Sequence, residues 1–172
     1  MHKLLQLQQI VPSKTCLSCD VCCRFLDQDS FLAPIFTTAE VQRVITNGAD
    51  ANLFRPTADG QSTRINLKPH GEIYICPFFE PDTSECTIYP DRPLDCRIYP
   101  FALMHNVDET EVVLGVDTIC PFTEDECQTG SFQGYTNHIV DFLESAPVVE
   151  TIAASWSLIG PYQETVIIVG VL

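Results

Sequence analysis

Four cysteines crowd one eight-residue stretch, Cys16-Leu-Ser-Cys19-Asp-Val-Cys22-Cys23. Ionised thiols at that spacing repel one another, so a chain that gathers them needs something to hold them together; a metal ion or an iron–sulfur cluster does so most simply. Four more stand further along, near prolines and aromatics: Cys76, Cys86, Cys96 and Cys120. The ninth, Cys127, follows Glu124-Asp125-Glu126, whose carboxylates disfavour its thiolate, and it reads as a bystander.

The spacings carry the chemistry. Cys16 with Cys19, and Cys19 with Cys22, each form a C-x2-C knuckle, and a tight reversal between such a pair turns both sulfurs onto one metal at about 2.3 Å for zinc. Neighbouring side chains usually point apart, which bears on the adjacent Cys22 and Cys23. They read either as ligands of two neighbouring centres or as one ligand and a spare. Prolines 90, 93 and 100 stiffen the loop that bears Cys86 and Cys96, and Cys120-Pro121-Phe122 echoes Cys76-Pro77-Phe78. Three spacings of the ferredoxin run C-x2-C-x2-C-x3-C-P are present, but Leu26 stands at the fourth position, which excludes an ordinary bacterial ferredoxin. Zinc is favoured by the knuckles. An iron–sulfur cluster is favoured by the overlapping triplet, the Cys-Pro steps and the nearby aromatics Phe25, Phe78, Tyr89, Tyr99 and Phe101, and the balance tips slightly towards it. Structural disulfides and a dithiol switch are the lesser readings.

Composition narrows the partners. With 172 residues, 45% of them hydrophobic, the chain can bury a real core and does not need cysteines to staple a tiny fold. Its net charge of −14 argues against nucleic acid and anionic membrane surfaces, leaving a metal ion or cluster and a protein as partners. The opening Met1 to Ile10 is too short and glutamine-rich for a signal peptide and reads as a short amphipathic helix. With an odd cysteine count, this points to the cytoplasm. The apolar run Val166 to Leu172 is too short to span a bilayer, which takes about 20 residues, and reads as a closing strand or a cut end.

Local patterns predict an α+β fold: one small domain over 1–172 with short antiparallel hairpins, a few packed helices and long cysteine-bearing loops around a metal centre. Thr37-Thr-Ala-Glu40 predicts a capping box opening a helix that Gly48 ends. Alternation predicts one hairpin of Thr63–Lys68 with Glu72–Cys76, and another of Phe101–His105 with Glu111–Val116. Phe132, Tyr135, Ile139, Phe142 and Leu143 predict a helix. A second runs from Val148 to about Trp156, with Trp156 in the core, giving a helical scaffold over about 131–157. His70 and His105 read as solvated or capping residues.

The run Cys16-x2-Cys19-x2-Cys22-Cys23, then Cys76-Pro-Phe and Cys86-x-Ile-Tyr-x-x-Arg92-Pro-x-x-Cys96-Arg-x-Tyr99-Pro100, resembles the CxxCxxCC cysteine-cluster family, a zinc- or iron-chelating domain, over about 15–122. The resemblance implies metal binding at Cys16, Cys19, Cys22, Cys23, Cys76, Cys86 and Cys96, with Cys120 an eighth member by its Cys-Pro-Phe step. Arg24, Arg92 and Arg97 are expected to offset thiolate charge. Electron transfer, metal handling and a structural clasp are the roles this allows. Flagellin lysine methylases look like larger relatives, which implies as alternatives a protein-modifying enzyme or a zinc-stabilised interaction module. The chain has no G-x-G-x-x-G after a strand for a methyl-donor nucleotide and no C-x3-C-x2-C for radical chemistry.

Overall fold

The structure is a computed structural model that describes residues 7, 9–19, 21–126 and 129–172. It is α+β, built from small antiparallel sheets and a few helices, and its contacts group into two compact units. The N-terminal unit is Pro12–Cys96. The C-terminal unit is Arg97–Leu172 with the described part of the first eleven residues. No helix among the described residues is long and apolar enough to cross a membrane. The helix expected at the start of the chain, and Cys127, fall largely or wholly outside the described residues.

In order, the N-terminal unit carries α1 (Ser13–Cys16), β1 (Arg24–Phe25), β2 (Ile35–Thr37), α2 (Thr38–Thr46), β3 (Phe54–Pro56), β4 (Ser62–Ile65), β5 (Lys68–His70), β6 (Ile73–Ile75), β7 (Phe79–Glu80) and β8 (Glu85–Cys86). α3 (Leu94–Ile98) begins here, and its last two residues belong to the C-terminal unit. α2 starts where the sequence places it. The Thr37 hydroxyl accepts from Glu40 N–H, and the Glu40 carboxylate accepts from Thr37 N–H at 2.8 Å. Gly48 ends it at φ +104°, a left-handed conformation that costs glycine nothing. The unit's core holds Phe25, Phe36, Val44, Ile65, Ile75 and Phe78, with Phe36 meeting the Phe54 ring edge-on at 5.2 Å.

The first predicted hairpin is corrected. β4 does not pair with the segment leading to Cys76; it lies between β2 and β3, with Ile35 opposite Arg64 and Phe54 opposite Ile65. Asn66 interrupts the run, because its N–H donates to the Leu53 carbonyl at 2.7 Å and its side chain to the Asn52 carbonyl at 3.1 Å. A separate short hairpin follows, β5 with β6, turning through Gly71 at φ +62°. Alternation reports which face a residue takes, not which strand it pairs with, and that choice was made by residues further back in the chain.

The C-terminal unit continues with β9 (Phe101–His105), β10 (Val112–Asp117), α4 (Pro121–Glu126), α5 (Gly130–Leu143), α6 (Ala146–Ala154) and β11 (Val166–Val171). β9 and β10 form the predicted hairpin, with Phe101 opposite Val116. β11 closes the sheet on the other side of β10, with a register shift between Leu114 and Gly115. α5 buries Phe132, Thr136, Ile139, Phe142 and Leu143, and Phe132 stacks on Phe101 at 5.5 Å. Trp156 corrects the expectation of a core residue: it is 53% exposed, because the tight turn Trp156–Leu158 sends Leu158 inward instead.

Gly115 of β10 leaves room for the Val166 side chain of β11. A Cβ there would collide with Cγ1 of Val166, whereas one on Gly134 of α5 would meet nothing within 4 Å. Gly115→Ala is expected to cost about 1–3 kcal/mol in denaturant unfolding. Gly134→Ala should raise stability by about 0.5–1 kcal/mol through the lower entropy of the unfolded chain.

Candidate metal centre

Short-range backbone geometry assembles the first cysteines. α1 ends on Cys16, and a turn follows in which Cys19 N–H donates to the Cys16 carbonyl at 3.3 Å. Cys22 and Cys23 close the tight turn Val21–Cys23, which runs straight into β1. β1 then pairs with β6, Arg24 opposite Ile75, and the ladder extends one step further as Cys76 N–H donates to the Cys23 carbonyl at 3.0 Å. Past Cys76 the chain turns through Phe79 N–H to the Cys76 carbonyl, 3.0 Å, and β7 pairs with β8 so that Phe79 stands opposite Cys86. Cys23, Cys76 and Cys86 thereby share one edge of the unit's hydrophobic core.

Cys96 arrives by a different route, on the loop that α2 holds in place. Arg43 Nε lies 3.2 Å from Asp91 Oδ1, and Asn47 Nδ2 donates to Asp91 Oδ2 at 2.9 Å. Glu40, already capping its own helix, uses its second oxygen to accept from Leu94 N–H at 2.7 Å. Asp95 Oδ2 accepts from Ile35 N–H of β2 at 2.9 Å. Between these anchors the Arg92 guanidinium lies over the Tyr89 ring at 3.8 Å, and Arg92 Nε donates to the Tyr89 carbonyl at 3.1 Å.

The thiols so placed act on one another. Burial pushes the Cys76 thiol up to about 12, with Cys86 and Cys22 adding to the shift and the backbone N–H of Phe78 opposing it. Cys96 is pushed well above the ordinary thiol value by burial first, then by Asp95, Cys22, Cys76 and Cys86. Cys22 is held well up chiefly because its thiol donates a hydrogen bond to Cys23, and burial adds to this. Cys16 and Cys86 are raised by burial, and the positive charge of Arg92 opposes both shifts. Cys16 also accepts hydrogen bonds from Tyr89 and Arg92. Among the described residues, no group of three or more His, Cys, Asp or Glu side chains closes to a metal-holding geometry. The sulfurs are gathered within electrostatic range without being drawn onto one point. As donors they suit zinc or iron, since the missing ingredient is positive charge.

The expected site residues are therefore distributed unevenly. Cys16, Cys22, Cys23, Cys76, Cys86 and Cys96 interact in the N-terminal unit, with Cys19 one turn beyond Cys16. Cys120 belongs to the C-terminal unit, buried at the start of α4, where its carbonyl accepts from Thr123 N–H and hydroxyl. Arg92 reaches the thiols. Arg24 lies over the Phe79 ring at 5.6 Å, and Arg97 is exposed on α3. His70 is exposed at the end of β5. Sequence reasoning missed Tyr89 as a thiol partner, and Glu40, Asp91 and Asp95 as anchors. The last two stand in the proline-bounded run Pro90-Asp-Arg-Pro-Leu-Asp95, where short acidic side chains next to prolines signal a fixed turn.

Among known proteins, the profile of the family CxxCxxCC, described as "Putative zinc- or iron-chelating domain", matches residues 15–128, and the chain belongs to that family. No curated protein and no solved structure matches the chain.

Two substitutions test the anchors. Glu40→Ala leaves the N–H groups of Thr37 and Leu94 without their acceptor, at a cost of about 1–3 kcal/mol for each group left dry. Burial raises the Asp95 carboxyl from 3.8 to about 6. The unfolded chain thus ionises first, and the stability present below about 4 is lost as pH rises towards 6. In the metal-free chain, Asp95→Asn keeps an oxygen for Ile35 N–H. It is expected to gain about 1–3 kcal/mol over the parent at pH 7 and nothing at pH 3.5, read from unfolding midpoints.

Proposed function

We propose that the N-terminal unit is a metal clasp whose cysteine thiolates chelate zinc or iron and tie together segments that its short strands hold only weakly. One observation carries this reading: Cys22, near the start of the unit, acts electrostatically on Cys76, Cys86 and Cys96 further along it, and Cys16 acts on Cys86. Strands of two to four residues give such a unit little regular pairing, and a structural metal site supplies about 10–16 kcal/mol of folding free energy at neutral pH. Arg92 moderates the charge of the thiolate set from its place over Tyr89. All eight described cysteines are free thiols, which fits a reducing compartment such as the cytoplasm.

Metal analysis with an absorption spectrum after anaerobic purification tests the reading. A brown protein with acid-labile sulfide identifies iron–sulfur, and a colourless zinc protein identifies zinc. A folded chain that takes up neither metal would end the proposal. Removing the metal should loosen Pro12–Cys96, seen as faster amide exchange there. Cys96→Ser and Cys16→Ser should lower metal content, whereas Cys127→Ser should leave it unchanged. Because burial and mutual repulsion keep these thiols protonated, the metal must displace protons on binding. Apparent affinity is therefore expected to rise with pH between 6 and 8, by about tenfold per unit for each proton released.

A further inference from the structure

The strand β11 is apolar at every position and lies at the margin of its sheet, paired with β10 alone. The opposite margin is occupied. Gly160 N–H donates to the Leu103 carbonyl of β9 at 2.9 Å, and His105 N–H donates to the Gly160 carbonyl at 3.0 Å. Among the described residues, β11 is therefore the open edge of this sheet. Natural sheets blunt such an edge with charges, with proline or with a covering segment, and β11 carries neither a charge nor a proline.

Backbone direction at the edge follows from the pairing. Asp117 N–H donates to the Pro100 carbonyl on the β9 side, and Leu172 N–H donates to the Val112 carbonyl of β10 at 3.0 Å. Alternation along β10 turns Val113 and Gly115 towards β9, so their opposite residues on β11, Val171 and Ile168, aim N–H and C=O groups away from the sheet. The register shift leaves Val169 without an opposite residue and sets these two side chains on one face, that of Met104 and Val113. There Ile168 is 46% and Val171 57% exposed. Ile167 is 56% exposed on the other face, where Phe101 stacks on Phe132 of α5. Whatever completes this edge must be an extended strand, apolar on both of its faces.

A second copy of the chain supplies such a strand, because β11 is one. Charge favours the same occupant position. Two chains of net charge −14 approach best where no carboxylates face each other, and residues 165–172 hold none. We propose that the chain forms a two-fold symmetric dimer in which β11 pairs antiparallel with β11 of a second copy, Ile168 of each standing opposite Val171 of the other. The two three-stranded sheets then become one continuous sheet. Both residues of that pair share a face and direct their backbone groups outward, so the pairing satisfies side chains and backbone together. The occupied margin at β9 stops growth at two copies. The inference concerns the C-terminal unit and stands apart from the metal clasp.

Sedimentation equilibrium of the full chain in reductant, from about 5 to about 500 µM, tests the dimer, since a short strand pairing lies at the weak end of specific interfaces. The expected result is a monomer–dimer equilibrium that tightens about three- to tenfold as salt rises from about 0.05 to about 0.5 M, because screening removes repulsion between like-charged copies. Over the same concentrations, amide exchange in the unmodified chain should slow at Ile168 and Val171, a reading that does not depend on a variant folding. Ile168→Lys and Val171→Lys should each give a monomer, whereas Trp156→Ser, at an exposed apolar residue outside the strand, should leave the dimer in place. A chain that stays monomeric throughout would overturn the proposal and leave the edge to a strand of another protein. Assemblies larger than two, association that weakens with salt, or a dimer without slowed exchange at Ile168 and Val171 would also overturn it. So would a dimer that survives either lysine variant or is lost with Trp156→Ser.

Discussion

Thiols gathered in a partly buried place cannot all ionise without a compensating cation, and this constraint governs the N-terminal unit. Burial, the largest cause, and the neighbouring Cys86 and Cys22 together hold the Cys76 thiol up at about 12. Burial holds Cys16, Cys76, Cys86 and Cys96 towards the protonated form, and the Arg92 guanidinium opposes that shift at Cys16 and Cys86. Supplying positive charge reverses the balance: the repulsion that raises each thiol becomes an attraction shared through the metal. Family membership as a zinc- or iron-chelating domain is consistent with this local energetic problem.

The scaffold that maintains this arrangement is mostly polar. Glu40, Asp91 and Asp95 spend their carboxylate oxygens on backbone N–H groups and on the side chains of α2, fixing the loop between Cys86 and Cys96 from outside. Prolines limit what the same loop can do when unfolded. Held at three points by one helix and one strand, this stretch leads into α3 and offers Cys96 from a defined position. The raised carboxyl of Asp95 shows that this positioning has a cost in stability.

Legibility in the sequence followed the range of the interactions. The capping box of α2, the β9–β10 hairpin and the buried face of α5 depend on residues a few positions apart, and each was readable. β4 was misread because Asn66 is captured by Asn52 and Leu53, and because β2, well upstream, competes for its edge. Trp156 was misplaced because hydrophobicity reports an average tendency, whereas a short turn decided which of Trp156 and Leu158 faces inward. Glu40 was seen as a cap, but its second acceptor role needs Leu94, far away in the chain.

By itself the sequence determined the crowding of thiols: the close spacing of Cys16, Cys19, Cys22 and Cys23 is a covalent fact, whatever the conformation. It also determined the local elements, whose hydrogen bonds close over a few residues. Only the tertiary structure decided which distant thiols act on Cys16 and Cys22, since strand pairing at Cys23 and Cys76 and the anchoring of the Cys96 segment join stretches of chain through contacts that no local pattern encodes. It likewise decided that Cys120 folds with the other unit despite its matching Cys-Pro-Phe step, because a motif fixes a turn and not the neighbours that the turn will have.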